Sequence, residues 1–125
     1  MQIQGLVWVG TRTERYAETV AFFRDRLGLR LGHEVAGFAI LYLPDTSQVE
    51  VFDPGGPEPH DHFTTGPVAE FLVDDVAGAA RELEDAGIET WGPYGGEDDP
   101  RHGWVHFRAP DGRIYGLTNG PQYRR

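Results

Sequence analysis

The side chains that could do chemistry in this chain are two glutamates and one histidine inside short apolar runs. Glu50 lies in V-E-V at 49–51, Glu70 in A-E-F at 69–71, and His106 in V-H-F at 105–107. Two carboxylates in apolar surroundings could hold a cation, or one of them could act as a general base. His106 could carry protons or, with both glutamates, ligate a divalent ion. The alternatives are a solvent-exposed Glu70 and a His106 that only forms the wall of an aromatic pocket.

Two further polar segments carry weaker signals. His60-Asp61-His62 has metal-like residue types, but it lies in the Pro- and Gly-rich stretch 54–65, where this spacing does not converge donors on one ion. We expect a solvated loop there. The acidic run E-D-D-P-R at 97–101, before His102, predicts a surface loop, with a lid as the alternative. No cysteine is present, which excludes a thiolate nucleophile, a disulfide and a Cys-ligated metal.

Charge and composition narrow the class of partner. The net charge is −9, which disfavours nucleic acid and favours cationic ligands. All 11 basic residues are arginines, which we interpret as the codon bias of a GC-rich bacterial genome. No apolar run approaches the ~20 residues of a membrane span, and no signal peptide is visible. We therefore expect a cytoplasmic protein that binds neither membrane nor nucleic acid.

Periodicity predicts two helices among about eight short strands. An apolar stripe predicts a helix over 13–27, with Thr13 as its N-cap and Gly28 as its stop. A second stripe predicts a helix over 75–86, capped by Asp74 or Asp75 and ended by Gly87. Apolar β-prone runs predict strands at the following positions: 5–9, 37–43, 48–53, 68–73, 88–91, 103–108 and 113–118.

These elements form an internal repeat. G-F-A-I-L-Y-L-P-D at 37–45 corresponds to G-W-V-H-F-R-A-P-D at 103–111, and the same offset of 103 − 37 = 66 residues brings 49–51 onto 115–117. Each half therefore has the order βαβββ. We predict one domain, 1–125, made of modules at about 1–53 and 66–119 joined by a linker, 54–65.

The repeat and three motifs resemble the vicinal oxygen chelate superfamily, which includes glyoxalase I, extradiol dioxygenases and bleomycin-resistance proteins. The motifs are F-F-R-D-R-L-G-L at 22–29, F-L-V-D-D-V at 71–76 and A-P-D-G-R-I-Y at 109–115. The resemblance implies an α+β fold in which tandem βαβββ modules form a curved mixed sheet around a cavity, within a homodimer.

The resemblance also implies where a metal would be bound. Family members hold one divalent ion with four cavity-facing residues, and the corresponding positions here are Gly5, Glu50, Val68 and Gly116. Only Glu50 carries a donor, whereas a divalent ion needs several. We therefore predict neither a metal nor another cofactor.

Strand alternation and the resemblance together predict the residues that line the cavity. With Glu50 inward, so are Gly5, Val7 and Val9 of the first strand, whereas Trp8 faces the helix. The predicted ligand-binding set is Phe38, Tyr42, Gln48, Glu50, Phe52, Glu70, Trp104, His106 and Ile114. This apolar, aromatic and acidic lining predicts a metal-free protein that binds a small aromatic or cationic organic molecule. The alternative is a lyase, isomerase or oxygenase that uses Glu50 or His106 or a non-standard metal site.

Overall fold

The computed structural model describes residues 1–57, 61–97 and 102–120. These residues form two helices and eight strands in the order βαβββ, twice. The elements are β1 (Gly5–Arg12), α1 (Tyr16–Ala21, continued by a π-helical turn at Phe22–Arg26), β2 (Arg30–Val35), β3 (Phe38–Tyr42), β4 (Gln48–Phe52), β5 (Val68–Leu72), α2 (Val76–Asp85), β6 (Thr90–Tyr94), β7 (Trp104–Arg108) and β8 (Ile114–Thr118).

The chain divides into two compact units. The N-terminal unit is Trp8–Val68, and the C-terminal unit is Met1–Val7 with Ala69–Arg125. Strand order is β2-β3-β4-β1 in the first and β5-β8-β7-β6 in the second. The pairs β1–β4 and β5–β8 are parallel and the other pairs within each unit are antiparallel. The predicted α+β class with mixed strand pairing is confirmed; the assignment of one domain with a linker at 54–65 stays a prediction.

In the N-terminal unit α1 covers one face of the strands. Val20 of α1 packs with Ala39, Leu41 and Val51, and all four side chains are buried. The helix begins at Tyr16 rather than Thr13, because the Thr13 hydroxyl accepts from the Arg15 amide and forms a turn before the helix. Gly28 ends the helical segment with a φ of 74°, as predicted.

In the C-terminal unit α2 packs on the corresponding face. Val76, Ala79 and Ala80 form a buried cluster with Val105 and Leu117. Asp75 is the N-cap, since its carboxylate accepts from the Gly78 amide at 2.9 Å. Within the described part of the chain, neither helix is long and apolar enough to cross a membrane.

Candidate functional site

The face of the N-terminal unit that lies away from α1 carries five of the predicted site residues. Residues directly opposite each other on paired strands point to the same side of a sheet. Glu50 lies opposite Ile40 of β3, Gln48 opposite Tyr42, and Phe52 opposite Phe38. Glu50, Phe38 and Tyr42 are half-buried, whereas Gln48 and Phe52 are buried. The structure therefore brings this set together on the helix-free face.

The predicted orientation of β1 is wrong. Val9 lies opposite Val49 on the helix side, while Trp8 and Gly10 lie opposite Gln48 and Glu50 on the helix-free face. By alternation Gly5 and Val7 take the orientation of Val9. The prediction failed because it placed Gly5 on the same face as Glu50. Gly10 shares that face, and since successive residues of a strand point to opposite faces, Gly5 lies on the other one. The Trp8 ring lies across Gly10, where a Cβ atom would be 1.9 Å from the ring.

Arg12 closes one end of the helix-free face in the N-terminal unit. Its guanidinium lies 4.9 Å from the centroid of Phe52 and 5.0 Å from that of Phe63. Phe52 also stacks on Phe38, with centroids 5.6 Å apart and an interplanar angle of 14°. Phe63 packs edge-on against Phe52 at 5.4 Å. Three aromatic rings in contact, with one cation beside two of them, therefore lie at the Phe52 end of the strand that carries Glu50.

The same guanidinium holds the segment that follows β4. Arg12 Nε donates to the carbonyl of Phe63 at 2.8 Å. Nη1 donates to the carbonyls of Asp53 and Gly56 at 2.9 and 3.3 Å, and Nη2 donates to that of Pro57 at 3.0 Å. Sequence reasoning missed this arrangement. The available signals were an arginine at the end of an apolar strand and a phenylalanine inside a Pro- and Gly-rich segment.

Two residues of the expected solvated loop at His60-Asp61-His62 are described: Asp61 is exposed and His62 is half-buried. The next residue, Phe63, is 2% exposed, a burial that the sequence did not predict. His60 lies outside the described residues, as does the acidic segment 98–101. His102 is exposed at the start of the described part that follows.

In the C-terminal unit a buried carboxylate–imidazole pair lies on the helix-free face. Glu70 of β5 lies opposite Gly116 of β8, and Gly116 lies opposite His106 of β7. Glu70 Oε2 and His106 Nε2 are 2.8 Å apart across the glycine. The side chains are 5% exposed for His106 and 6% for Glu70. The alternative of a solvent-exposed Glu70 is therefore wrong.

Gly116 is required for this pair. A Cβ atom at position 116 would lie 2.7 Å from Glu70 Cγ, 2.9 Å from Glu70 Oε2 and 2.8 Å from His106 Cδ2. The absence of a side chain thus lets Glu70 and His106 meet over β8.

Aromatic rings flank the pair on the neighbouring strands. Trp91 of β6 lies opposite His106, and Tyr94 lies opposite Trp104. Trp104 is half-buried and packs against Tyr94, with centroids 5.8 Å apart. The guanidinium of Arg108 lies 5.3 Å from the Trp91 centroid. Ile114, opposite Arg108 on β8, is half-buried.

The donor set does not fit a divalent metal. Gly10 of β1 lies opposite Glu50, and Glu70 of β5 lies opposite Gly116, so Gly10 and Glu70 occupy corresponding positions in the two units. Two residues earlier on each strand, Trp8 rather than Gly5 therefore corresponds to Val68. The four positions that correspond to the family's metal ligands are therefore Trp8, Glu50, Val68 and Gly116, and only Glu50 carries a metal donor. Across residues 1–57, 61–97 and 102–120, no group of three His, Asp or Glu side chains is placed to share an ion.

Comparisons with known proteins identify the family. The sequence model of the glyoxalase/bleomycin resistance protein/dioxygenase superfamily matches residues 5–114. The chain belongs to this superfamily. None of the curated protein sequences compared with it matches significantly.

Solved structures show the same fold at low sequence identity. Methylmalonyl-CoA epimerase from Mycobacterium tuberculosis is 19% identical with a TM-score of 0.67, over 94% of this chain and 89% of that one. The Streptomyces coelicolor enzyme, as an E43L variant with 2-nitronate-propionyl-CoA, is 19% identical with a TM-score of 0.69, over 96% of both chains. An extradiol ring-cleaving dioxygenase from B. fuscum is 17% identical with a TM-score of 0.72, and this chain matches 33% of its length.

Proposed function

We propose that this protein binds a small, planar, positively charged organic molecule without a metal ion. The observation that carries the proposal is the composition of the helix-free face in the N-terminal unit. Glu50 is half-buried there, on the same face as the half-buried rings of Phe38 and Tyr42. Aromatic faces and a carboxylate together favour a planar cation through stacking and cation–π contact.

Contacts within the chain support the preference for a cation. Arg30 places its guanidinium 4.6 Å from the Tyr42 centroid, and Arg108 does the same over Trp91 at 5.3 Å. These rings therefore accept positive groups in the folded protein. The net charge of −9 attracts cations from solution as well. Arg12 shares the face with Glu50, but its guanidinium already donates to four carbonyl groups.

Calorimetric titration with two matched probes tests the proposal. N-methylquinolinium and quinoline-2-carboxylate have similar size and opposite charge, and the cation should bind more tightly. Glu50→Gln should weaken binding of the cation about tenfold, as expected for the loss of one charge contact. The control Glu14→Gln removes the same charge from an exposed position and should leave binding unchanged. Equal affinity for both probes, or equal effects of both substitutions, would overturn the proposal.

Phe38 provides an independent test of the stacking contribution. Phe38→Ala should weaken N-methylquinolinium binding by about 1–3 kcal/mol through loss of the stacking surface. Tryptophan fluorescence follows the same titration. An unchanged affinity would exclude Phe38 from the site.

The metal-free part of the proposal has its own measurement. Protein purified without chelator should contain no stoichiometric Zn, Ni, Mn or Fe by elemental analysis, because Trp8, Val68 and Gly116 offer no metal donors. One equivalent of any of these metals, lost in Glu50→Ala, would overturn it.

We also propose that the protein is a homodimer with two-fold symmetry. Exposed apolar side chains such as Leu6, Phe22 and Leu27 support an interface, since each is more than half exposed. Sedimentation equilibrium at about 10–100 μM, a range suited to stable interfaces, should give the mass of a dimer. A monomer at these concentrations would refute it.

A further inference from the structure

We propose that α1 and its π-helical turn form the centre of a two-fold interface between two copies of this chain. The surface concerned, called here the Phe22 patch, consists of Glu18, Ala21, Phe22, Asp25 and Arg26. All five residues belong to the N-terminal unit. The inference rests on the proposed homodimer and deepens it, since it states which surface each copy contributes and which side chains meet there.

An exposed aromatic ring lies at the centre of the Phe22 patch. Phe22 is 52% exposed, whereas the next residue, Phe23, packs against the buried cluster that includes Val20. The patch encloses an open cavity of about 410 Å³. A large apolar side chain beside a cavity marks an interaction surface, because a partner that covers the ring removes apolar area from water. Aromatic side chains are enriched at the centres of protein interfaces.

Glu18 and Arg26 lie on either side of Phe22 at equal spacing. Glu18 precedes the phenylalanine by four residues and Arg26 follows it by four. Side chains at that spacing are neighbours on one helix face. The face continues through the π-helical turn, in which the Leu27 amide donates to the Phe22 carbonyl at 3.2 Å. The Phe22 patch therefore has a negative end, an apolar centre and a positive end.

Arg26 is the charge of the patch that the chain itself does not pair. It is exposed and forms no hydrogen bond or ion pair with the part of the chain that the structure describes. Asp25 already accepts from Arg24 at 2.8 and 3.0 Å. Glu18 accepts from Arg15 but is 66% exposed, and its two carboxylate oxygens accept more than one donor. A partner can therefore supply a carboxylate to Arg26 and a further cation to Glu18.

A second copy of the chain supplies both groups. Two helices related by a two-fold axis perpendicular to them run antiparallel, and an axis at Phe22 places Glu18 of each copy opposite Arg26 of the other. The two phenylalanine rings meet at the axis. Parallel helices would instead place glutamate against glutamate and arginine against arginine. Charge complementarity thus favours an antiparallel pair of identical patches over an unrelated partner.

Charge reversal tests both the surface and the pairing. Sedimentation velocity at about 10 μM should show a wild-type dimer, a concentration suited to stable interfaces. Glu18→Arg and Arg26→Glu should each raise the Kd of the dimer about 100-fold, because like charges then face each other twice across the axis. An equimolar mixture of the two variants should form a heterodimer, since one variant presents only positive and the other only negative charges at the two contacts.

Matched controls use exposed residues outside the patch. Arg81→Glu and Asp85→Arg reverse exposed charges of α2 and should leave the Kd of the dimer unchanged. Phe22→Ser should raise the Kd about 30-fold through loss of the central ring. Val35→Ser changes an apolar residue of the same unit that is 43% exposed, and it should have no effect. Each variant should keep the wild-type circular dichroism spectrum, so that loss of association is not loss of the fold.

The outcomes separate this inference from the proposed homodimer. A wild-type dimer that resists both charge reversals and Phe22→Ser would refute the Phe22 patch and leave the homodimer standing. Weakening by both reversals without recovery in the mixture would overturn the antiparallel pairing, as would equal weakening by the control variants. A wild type that is monomeric up to about 100 μM would refute the homodimer and this interface together. The proposed ligand binding has its own titration and does not depend on these results.

Discussion

Replacement of Arg12 by lysine should destabilise the fold far more than its conservative chemistry suggests. The arginine is 5% exposed and donates from three nitrogens to four carbonyl oxygens, and its guanidinium lies about 5 Å from the centroids of Phe52 and Phe63. Lysine keeps the charge but offers a single nitrogen, which cannot reach all four carbonyl oxygens that now accept from the three nitrogens of the planar guanidinium. The substitution therefore leaves buried acceptors without donors.

The magnitude follows from the number of lost contacts. If lysine preserves two of the four hydrogen bonds, two bonds from a charged donor are lost, each about 1.5–3 kcal/mol. Partial relaxation offsets some of this loss, so we expect the free energy of unfolding to fall by about 3 kcal/mol. With an m value of about 2 kcal/mol/M, the urea midpoint should fall by about 1.5 M.

Urea unfolding followed by tryptophan fluorescence is the assay, with Arg24→Lys as the matched control. Arg24 is exposed and pairs with Asp25 at 2.8 Å, so its replacement should leave the midpoint at the wild-type value. Equal midpoints for Arg12→Lys and the wild type would refute the reasoning, because the carbonyl contacts would then contribute nothing to stability.

Three other predictions concern single contacts. Gly116→Ala should lower stability by about 1–3 kcal/mol in thermal unfolding through collision with Glu70 and His106, whereas Gly5→Ala, where the nearest atom is 3.7 Å away, should be neutral; equal effects would contradict the packing argument. Asp75→Ala should cost about 1 kcal/mol through loss of the Gly78 cap, and an unchanged melting temperature would show that the cap is not needed. Burial and the Glu34 carboxylate raise the pKa of Tyr16 to about 12, so the folded state holds this proton more tightly than the unfolded chain and stability should fall between about pH 10 and 12. Tyr16→Phe should flatten the stability profile in that window, and the same slope in the variant would assign the loss to other groups.

Local sequence patterns correctly predicted most helices and strands of the described structure. The stripe of Val76, Ala79, Ala80 and Leu83 correctly predicted α2, and Asp75 and Gly87 correctly marked its ends. Apolar runs correctly predicted most strands, because a strand that is buried on one or both faces carries apolar residues at alternating or successive positions of the sequence. No apolar run marks β2, since five of its six residues are exposed and only Leu31 is half-buried.

The chain by itself determined the duplicated βαβββ order, the family resemblance and the scarcity of metal donors, since these depend on residue types and spacing. Only the tertiary structure decided the orientation of β1, because a strand's facing depends on which residues its partner strand places opposite. The contact between Glu70 and His106, 36 residues apart, likewise required the register of three strands and the missing side chain of Gly116. The contact between Arg12 and Phe63 also depends on the tertiary structure. A buried guanidinium needs hydrogen-bond acceptors, and only the folded backbone brings the carbonyl groups within its reach.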